Sequence, residues 1–268
     1  MIELFETNLR DSGRRSSKGN QLKWENDGIW YKADYLGYEG LSEYVVSHLL
    51  CKSSLAAKEY VIYDPEEIKC GRQIFRGCKC KDYSDGWSTI TLERLFKNNY
   101  GTSLNHDIYS ISDHEERLIY LVDQIQRVTG IRDFGIYISK LFAIDALFLN
   151  EDRHTHNISV LMNDKGEYRL CPIYDNGAAL LSDTMMDYPL DGDLYEEIGA
   201  VKPKTICDSF DEQLEIAEKL YGQQISFTFS RSYLTDVIDK ATIYDIDTRN
   251  RVRDIIFEQM RKYPGYFE

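Results

Sequence analysis

Residues 148–161 read FLNEDRHTHNISVL, and residues 171–181 read CPIYDNGAALL. Upstream, Phe134, Ile138, Leu141, Asp145 and Phe148 fall along one side of a predicted helix, so an acid stands among apolar positions just before the first stretch turns polar. Between the two stretches, ISVLM and EYRLC flank the turn signal NDKG and predict a hairpin over 158–171. The order is helix, polar loop, hairpin, second polar turn. It carries Asp152, Asn157 and Asp175, three oxygen-bearing side chains of the kind that hold magnesium and a hydroxyl together. Taken singly, each of these residues reads equally well as a turn residue, because Asp, Asn and Gly are favoured there. The ordered set is what separates a site from a series of turns.

Working outward, the N-terminal part alternates as strands do. IELFET is followed by a polar stretch, then by QLKW and IWYKAD on either side of the turn signal ENDG. From Leu41 the period becomes helical, with Leu41, Val45 and Leu49 on one face beside Tyr44, and EYVIYD and GRQIFRG predict two further strands. Beyond about residue 88 the pattern is mostly helical. Leu118, Leu121, Val122 and Ile125 share one helix face, and three helices are predicted near 209–221, 231–241 and 245–262. Ser209 with Glu212 forms a capping-box pairing, and the last helix stops before Pro264. These signals predict an α+β fold with a β-rich N-terminal lobe (1–82) and an α-helical C-terminal lobe (83–268).

The chain of 268 residues is 43% hydrophobic and 13% aromatic, which is the composition of a packed protein able to bury a sizeable core. Its net charge of −13 opposes a broad surface that tracks DNA phosphates or anionic lipid. The basic stretch RRSSKG at 14–19 is the local exception. No apolar run approaches the length of a membrane span and the start lacks a signal-peptide pattern, so a cytoplasmic location is expected. Six cysteines in a chain of this size predict reduced thiols rather than a disulfide scaffold.

Phosphoryl transfer asks a protein for positioning and charge more than for covalent chemistry. An aspartate must reach the acceptor hydroxyl, an asparagine a few residues on must reach a metal, and a second aspartate must hold metal against the phosphates. Asp152 and Asn157 stand five positions apart, the offset of those two groups in protein kinases, and Asp175 follows the hairpin with Asn176 and Gly177 behind it. Lys32, on a predicted strand, and Glu43, on the helix after it, match the lysine and helix glutamate that anchor nucleotide phosphates, although an exposed strand lysine and helix glutamate are common without that role. DSGRRSSKGNQLKW supplies a phosphate-covering loop, with Gly13 and Gly19 allowing close backbone approach and Ser16 and Ser17 offering hydroxyls and amides. FRGCKCKDYSD, with Cys78 and Cys80, is expected to cross between the lobes and set backbone groups against adenine. Cys70 with that Cys-x-Cys lacks the second tight pair that a four-ligand zinc site needs. Asp145 is expected to satisfy groups of the nearby polar loop, since an unpaired buried charge is costly. His154 and His156 are read as loop residues rather than metal ligands.

DALFLNEDRHTHNISVL with PIYDNG resembles the HipA-like kinase superfamily, especially its short CtkA-like members, and more distantly the phosphatidylinositol kinases. As in those atypical kinases, Arg153 and His154 follow the aspartate, whereas conventional protein kinases place His and Arg before it. The resemblance implies a bilobal protein-kinase-like fold, ATP and Mg²⁺ as cofactors, Asp152 as catalytic base and Asn157 and Asp175 as magnesium ligands. It further implies a serine/threonine protein kinase capable of autophosphorylation, with Ser16 and Ser17 as candidate sites. Two alternatives stand beside it: a kinase for a small molecule or lipid headgroup, and a non-catalytic nucleotide-binding regulator with an antitoxin-like partner. Nothing in the sequence reads as a helix-turn-helix with a basic face, so no direct nucleic-acid binding is expected, and the acidic balance opposes membrane association.

Overall fold

The computed structural model describes residues 1–9 and 21–267, so Gly13, Ser16, Ser17 and Gly19 lie outside the described residues. In chain order the elements are β1 (Ile2–Leu4), β2 (Lys23–Asn26), β3 (Ile29–Ala33), α1 (Glu39–Leu50), β4 (Asp64–Cys70), β5 (Gln73–Lys81), β6 (Ser88–Thr91), α2 (Leu92–Tyr100), α3 (Leu104–Ser110), α4 (His114–Thr129) and α5 (Phe134–Phe148). There follow β7 (Ser159–Met162), β8 (Tyr168–Leu170), α6 (Leu194–Ala200), α7 (Phe210–Tyr221), α8 (Arg231–Lys240) and α9 (Ile246–Lys262). The α+β class read from the sequence holds.

The chain packs as two compact units. The first is Met1–Tyr83, Tyr174–Val201 and Ser226–Glu268, and the second is Ser84–Ile173 with Lys202–Ile225. This packing differs from a contiguous division at residue 82, because later segments satisfy buried polar groups of the N-terminal part. The Tyr38 hydroxyl donates to the Leu180 carbonyl at 2.6 Å, and the Ser42 hydroxyl donates to that of Ala179 at 2.8 Å.

In the first unit the strands run in the order β1-β4-β5-β3-β2, with β1 parallel to β4 and the other pairs antiparallel. Asp27 and Gly28 join β2 to β3, both with positive φ (52° and 75°), which is the conformation an Asp-Gly hairpin turn favours. Strand alternation sends Tyr31 and Ala33 into a core with Leu4, Trp24 and Ile68. It sends Trp30, with Cys78 and Cys80 of β5, into a second cluster around Val61 and Tyr63. Helix α1 packs across β3, β4 and β5.

EYVIYD, expected as a strand, is irregular, and β4 starts at its last residue instead. Tyr63 inserts its ring into the second cluster and donates its backbone N–H to the Ser47 hydroxyl at 3.1 Å, so this stretch spends its apolar alternation on packing. DPEEIKC forms the strand despite its composition because β5 offers it a full antiparallel ladder. Pro65 lies beyond the β1 pairing, which begins at Ile68, so its missing N–H breaks no bond there.

In the second unit β6, β7 and β8 form an antiparallel sheet in that order, and the predicted hairpin is its β7–β8 half. Thr91, Ser103, Asp113 and Ser209 cap α2, α3, α4 and α7 with their side chains. The predicted face of α4 is buried, while α5 is buried along nearly its whole length and packs against α7. Among the described residues, no helix is long and apolar enough to cross a membrane.

Candidate active site

Lys32 lies in the middle of β3, on the strand face that looks toward Tyr63 and Cys78. Its ammonium sits 5.1 Å from the centre of the Tyr63 ring and bridges two acids, Glu43 Oε1 at 2.5 Å and Asp175 Oδ1 at 2.8 Å. Glu43, on α1, is fully buried, and its second oxygen accepts the backbone N–H of Asn176 at 2.8 Å. One carboxylate thus fixes both the lysine and the residue after Asp175. Burial opposes the Lys32 charge, but Asp175 and Glu43 outweigh it and raise the lysine well above its ordinary pKa, so it stays cationic. Asp175 itself holds φ at 62°, a left-handed conformation that costs a non-glycine residue roughly 1–2 kcal/mol and turns its carboxylate toward Lys32.

A second cation escaped the sequence reading. Lys23 pairs directly with Lys32 in the β2–β3 ladder. Burial lowers its pKa, with Asp175 acting to raise it and Lys32 to lower it, which puts it in the same electrostatic neighbourhood. The signal was present in the sequence. A two-residue turn at Asp27-Gly28 sets the register, and that register places Lys23 opposite Lys32.

In the second unit the loop after α5 carries the other group. Leu149 takes a left-handed conformation at the end of the helix (φ 55°) and turns the chain into the loop. Arg153, only 2% exposed, donates from Nε to both Asp145 oxygens at 3.1 and 3.2 Å. The acid expected to serve this loop therefore holds the residue beside Asp152. Burial raises the Asp145 carboxyl to about 6 while Arg153 pulls it down, so the pair is ionised at neutral pH. Asn157 donates from Nδ2 to the Asp152 carbonyl at 2.8 Å and to its Oδ2 at 2.9 Å, leaving the amide oxygen as its ligand-capable atom. The other carboxylate oxygen, Oδ1, lies 3.6 Å from His154 Nε2 and 3.9 Å from Lys204 Nζ.

The structure brings Lys32, Glu43 and Asp175 together in the first unit, and Asp152 with Asn157 in the second. Cys78 and Cys80 require a correction. Both lie in β5 rather than in a segment that crosses out of the sheet: Cys78 is paired with Lys32 on one side and Pro65 on the other, whereas the β4 ladder ends at Lys79 and Cys80 is paired with Trp30 alone. A residue paired with both neighbouring strands has no backbone to offer adenine, which excludes Cys78 from that role. What the two cysteines contribute is buried thiol surface beside Lys32 and Tyr63. Among the described residues, the cysteines near Cys78 form no metal-ligating group. The cluster with that geometry is His114, Cys207 and Glu212 in the second unit. In the first unit Asp175 offers a hard oxygen of the kind magnesium takes and Lys32 the cation a triphosphate needs, and in the second the Asn157 amide offers another hard oxygen, so the donor chemistry of each unit taken by itself fits Mg²⁺·ATP.

The proinflammatory kinase CtkA of Helicobacter pylori matches this structure with a TM-score of 0.65 over 97% of this chain and 95% of that one, at 16% identity. The chain has the kinase-like fold of CtkA. The resemblance to HipA-like kinases drawn from the central motif is thereby borne out as a likeness of fold. HipA of Shewanella oneidensis, in its complex with HipB and operator DNA, matches with a TM-score of 0.49 at 14% identity over 97% of this chain and 63% of that one. No family model and no curated protein matches the sequence.

Proposed function

We propose that this protein is an ATP-dependent phosphotransferase acting on a serine or threonine hydroxyl of a protein, itself included. The observation that carries the reading is the buried lysine clamped between a helix glutamate and Asp175 at 2.5 and 2.8 Å. A lysine held cationic in this way is placed to take the oxygens of a nucleotide phosphate. When bound, Mg²⁺·ATP supplies the phosphoryl group and neutralises charge between the phosphates. Lys32 and Lys23 hold the phosphates, Asp175 and Asn157 hold the metal, and Glu43 keeps Lys32 in place. Asp152 orients the acceptor. The acceptor hydroxyl gives its proton to Asp152, its oxygen bonds the γ-phosphorus, and the leaving ADP oxygen keeps the electron pair of the bond that breaks. Ser16 and Ser17 are proposed as sites of self-modification.

Incubation with γ-labelled ATP and Mg²⁺, followed by intact-mass measurement and phosphopeptide mapping, tests this. Label appearing on serine or threonine of the wild type and absent from Asp152→Asn is the expected result. A chain that takes up no phosphate and transfers none to a serine-containing acceptor overturns the reading.

A further inference from the structure

The second unit contains a cavity of about 280 Å³ lined by Asn105, Tyr109, His154, His156 and Lys204. It opens beside the Asp152 carboxylate, because two of its lining residues, His154 and Lys204, lie 3.6 and 3.9 Å from Oδ1.

The charge of the lining runs against that of the chain. In a protein of net charge −13, the cavity wall carries one lysine, two imidazoles, a phenol and an amide, and no carboxylate. Glu93, the acid beside His156, is not in the lining and accepts the Asn105 backbone N–H at 2.9 Å and the Thr155 hydroxyl at 3.0 Å. Lys204 is held by its surroundings. Its carbonyl accepts the Tyr109 hydroxyl at 3.1 Å, the adjacent Thr205 hydroxyl donates to the Arg153 carbonyl, and Arg117 donates to the Ile206 carbonyl at 2.7 Å. The backbone at Lys204 is thus tied to the loop that carries Asp152, while its side chain is 45% exposed.

We infer that this cavity is an acceptor subsite that selects a serine or threonine flanked by an anionic side chain, with Lys204 as the group that reads the negative charge. The inference rests on the phosphotransferase reading for the hydroxyl and on the cavity alone for the anion. A carboxylate and a phosphate share the required chemistry.

The test uses four short peptides, each with one serine flanked by glutamate, phosphoserine, alanine or lysine, assayed with the full chain and its Lys204→Glu variant. The wild type is expected to prefer glutamate or phosphoserine over lysine by about tenfold in kcat/KM, and Lys204→Glu to reverse the order. Phosphoserine ahead of glutamate assigns the subsite to a dianion, and parity assigns it to a carboxylate. Equal loss on all four peptides with the order unchanged overturns the inference, because Lys204 would then serve the phosphate donor. A second measurement is independent of turnover: the imidazole NMR resonances of His154 and His156 should move with the glutamate peptide, stay still with the lysine peptide, and stop responding in Lys204→Glu. Such shifts without any phosphate transfer would retain the subsite and overturn the kinase reading. Transfer with no acidic preference and no shifts would overturn the subsite alone.

Discussion

Two aspartates of the proposed site are held in opposite ways. Asp152 is gripped by its own loop through Asn157, whereas Asp175 neutralises a buried lysine. Asp152→Asn should therefore lower turnover by roughly 10²–10⁴-fold while nucleotide binding persists, since the lost group handles the acceptor proton. Asp175→Asn should weaken both, because it removes a metal ligand and leaves Lys32 with only Glu43. Single-turnover kinetics together with ATP titration separates the two outcomes. Equal loss of ATP binding in both variants would show that Asp152 acts on the nucleotide. A third acid gives a pH dependence. Asp34, whose carboxyl is raised to about 7 by burial and by Glu39, accepts the Gly40 N–H at 2.6 Å at the start of α1. The folded chain binds this proton more tightly than the unfolded chain, so its contribution to stability falls as pH rises from about 4 to about 7. Thermal melts of Asp34→Asn across that range should show a flatter pH dependence than those of the wild type. Parallel curves would place the Asp34 carboxyl in water. The sequence marked Asp152, Asn157 and Asp175 by order and type, but it did not show that Asp145 pairs with Arg153, since a buried acid accepts any donor the fold brings to it.

Helix α1 meets the sheet at two glycines. A Cβ on Gly40 would lie 2.5 Å from the Gly77 carbonyl carbon and 2.7 Å from the Tyr244 hydroxyl, and one on Gly77 would lie 2.0 Å from the Lys32 carbonyl oxygen. This close approach of α1 to β5 brings Glu43 within 2.5 Å of Lys32. Gly77→Ala must shift backbone rather than a flexible side chain, so it should cost about 1–3 kcal/mol and weaken ATP binding by moving the lysine strand. Denaturant unfolding with nucleotide titration checks this, and a variant with wild-type stability and affinity would show that β3 and β5 can separate freely. Helices α4 and α7 were legible because their burial follows a 3.6-residue period, whereas α5 is buried nearly all round. β4 was not, since Asp64, Pro65, Glu66 and Glu67 disfavour a strand and only the partner strand β5 makes them one.

For the whole molecule, Mg²⁺·ATP should raise the melting temperature, with stabilisation near 2.7 kcal/mol when nucleotide reaches about a hundred times its Kd. Lys32→Met should abolish the shift and Asp152→Asn should retain it. A shift that survives in Lys32→Met would locate the nucleotide away from the Glu43–Lys32–Asp175 cluster. By itself the sequence determined the α+β class, the helices α1, α4, α5, α7, α8 and α9, both hairpins and the three oxygen-bearing residues of the central motif, because periodicity, turn chemistry and residue type are local properties. Only the tertiary structure decided that Asp175, 143 positions beyond Lys32, is its ion-pair partner. It alone decided that Cys78 and Cys80 lie inside a strand and that Lys204 stands beside Asp152. Those facts depend on burial and on pairing between distant segments, and a charge or thiol in the chain carries no mark of the partner against which it will be buried.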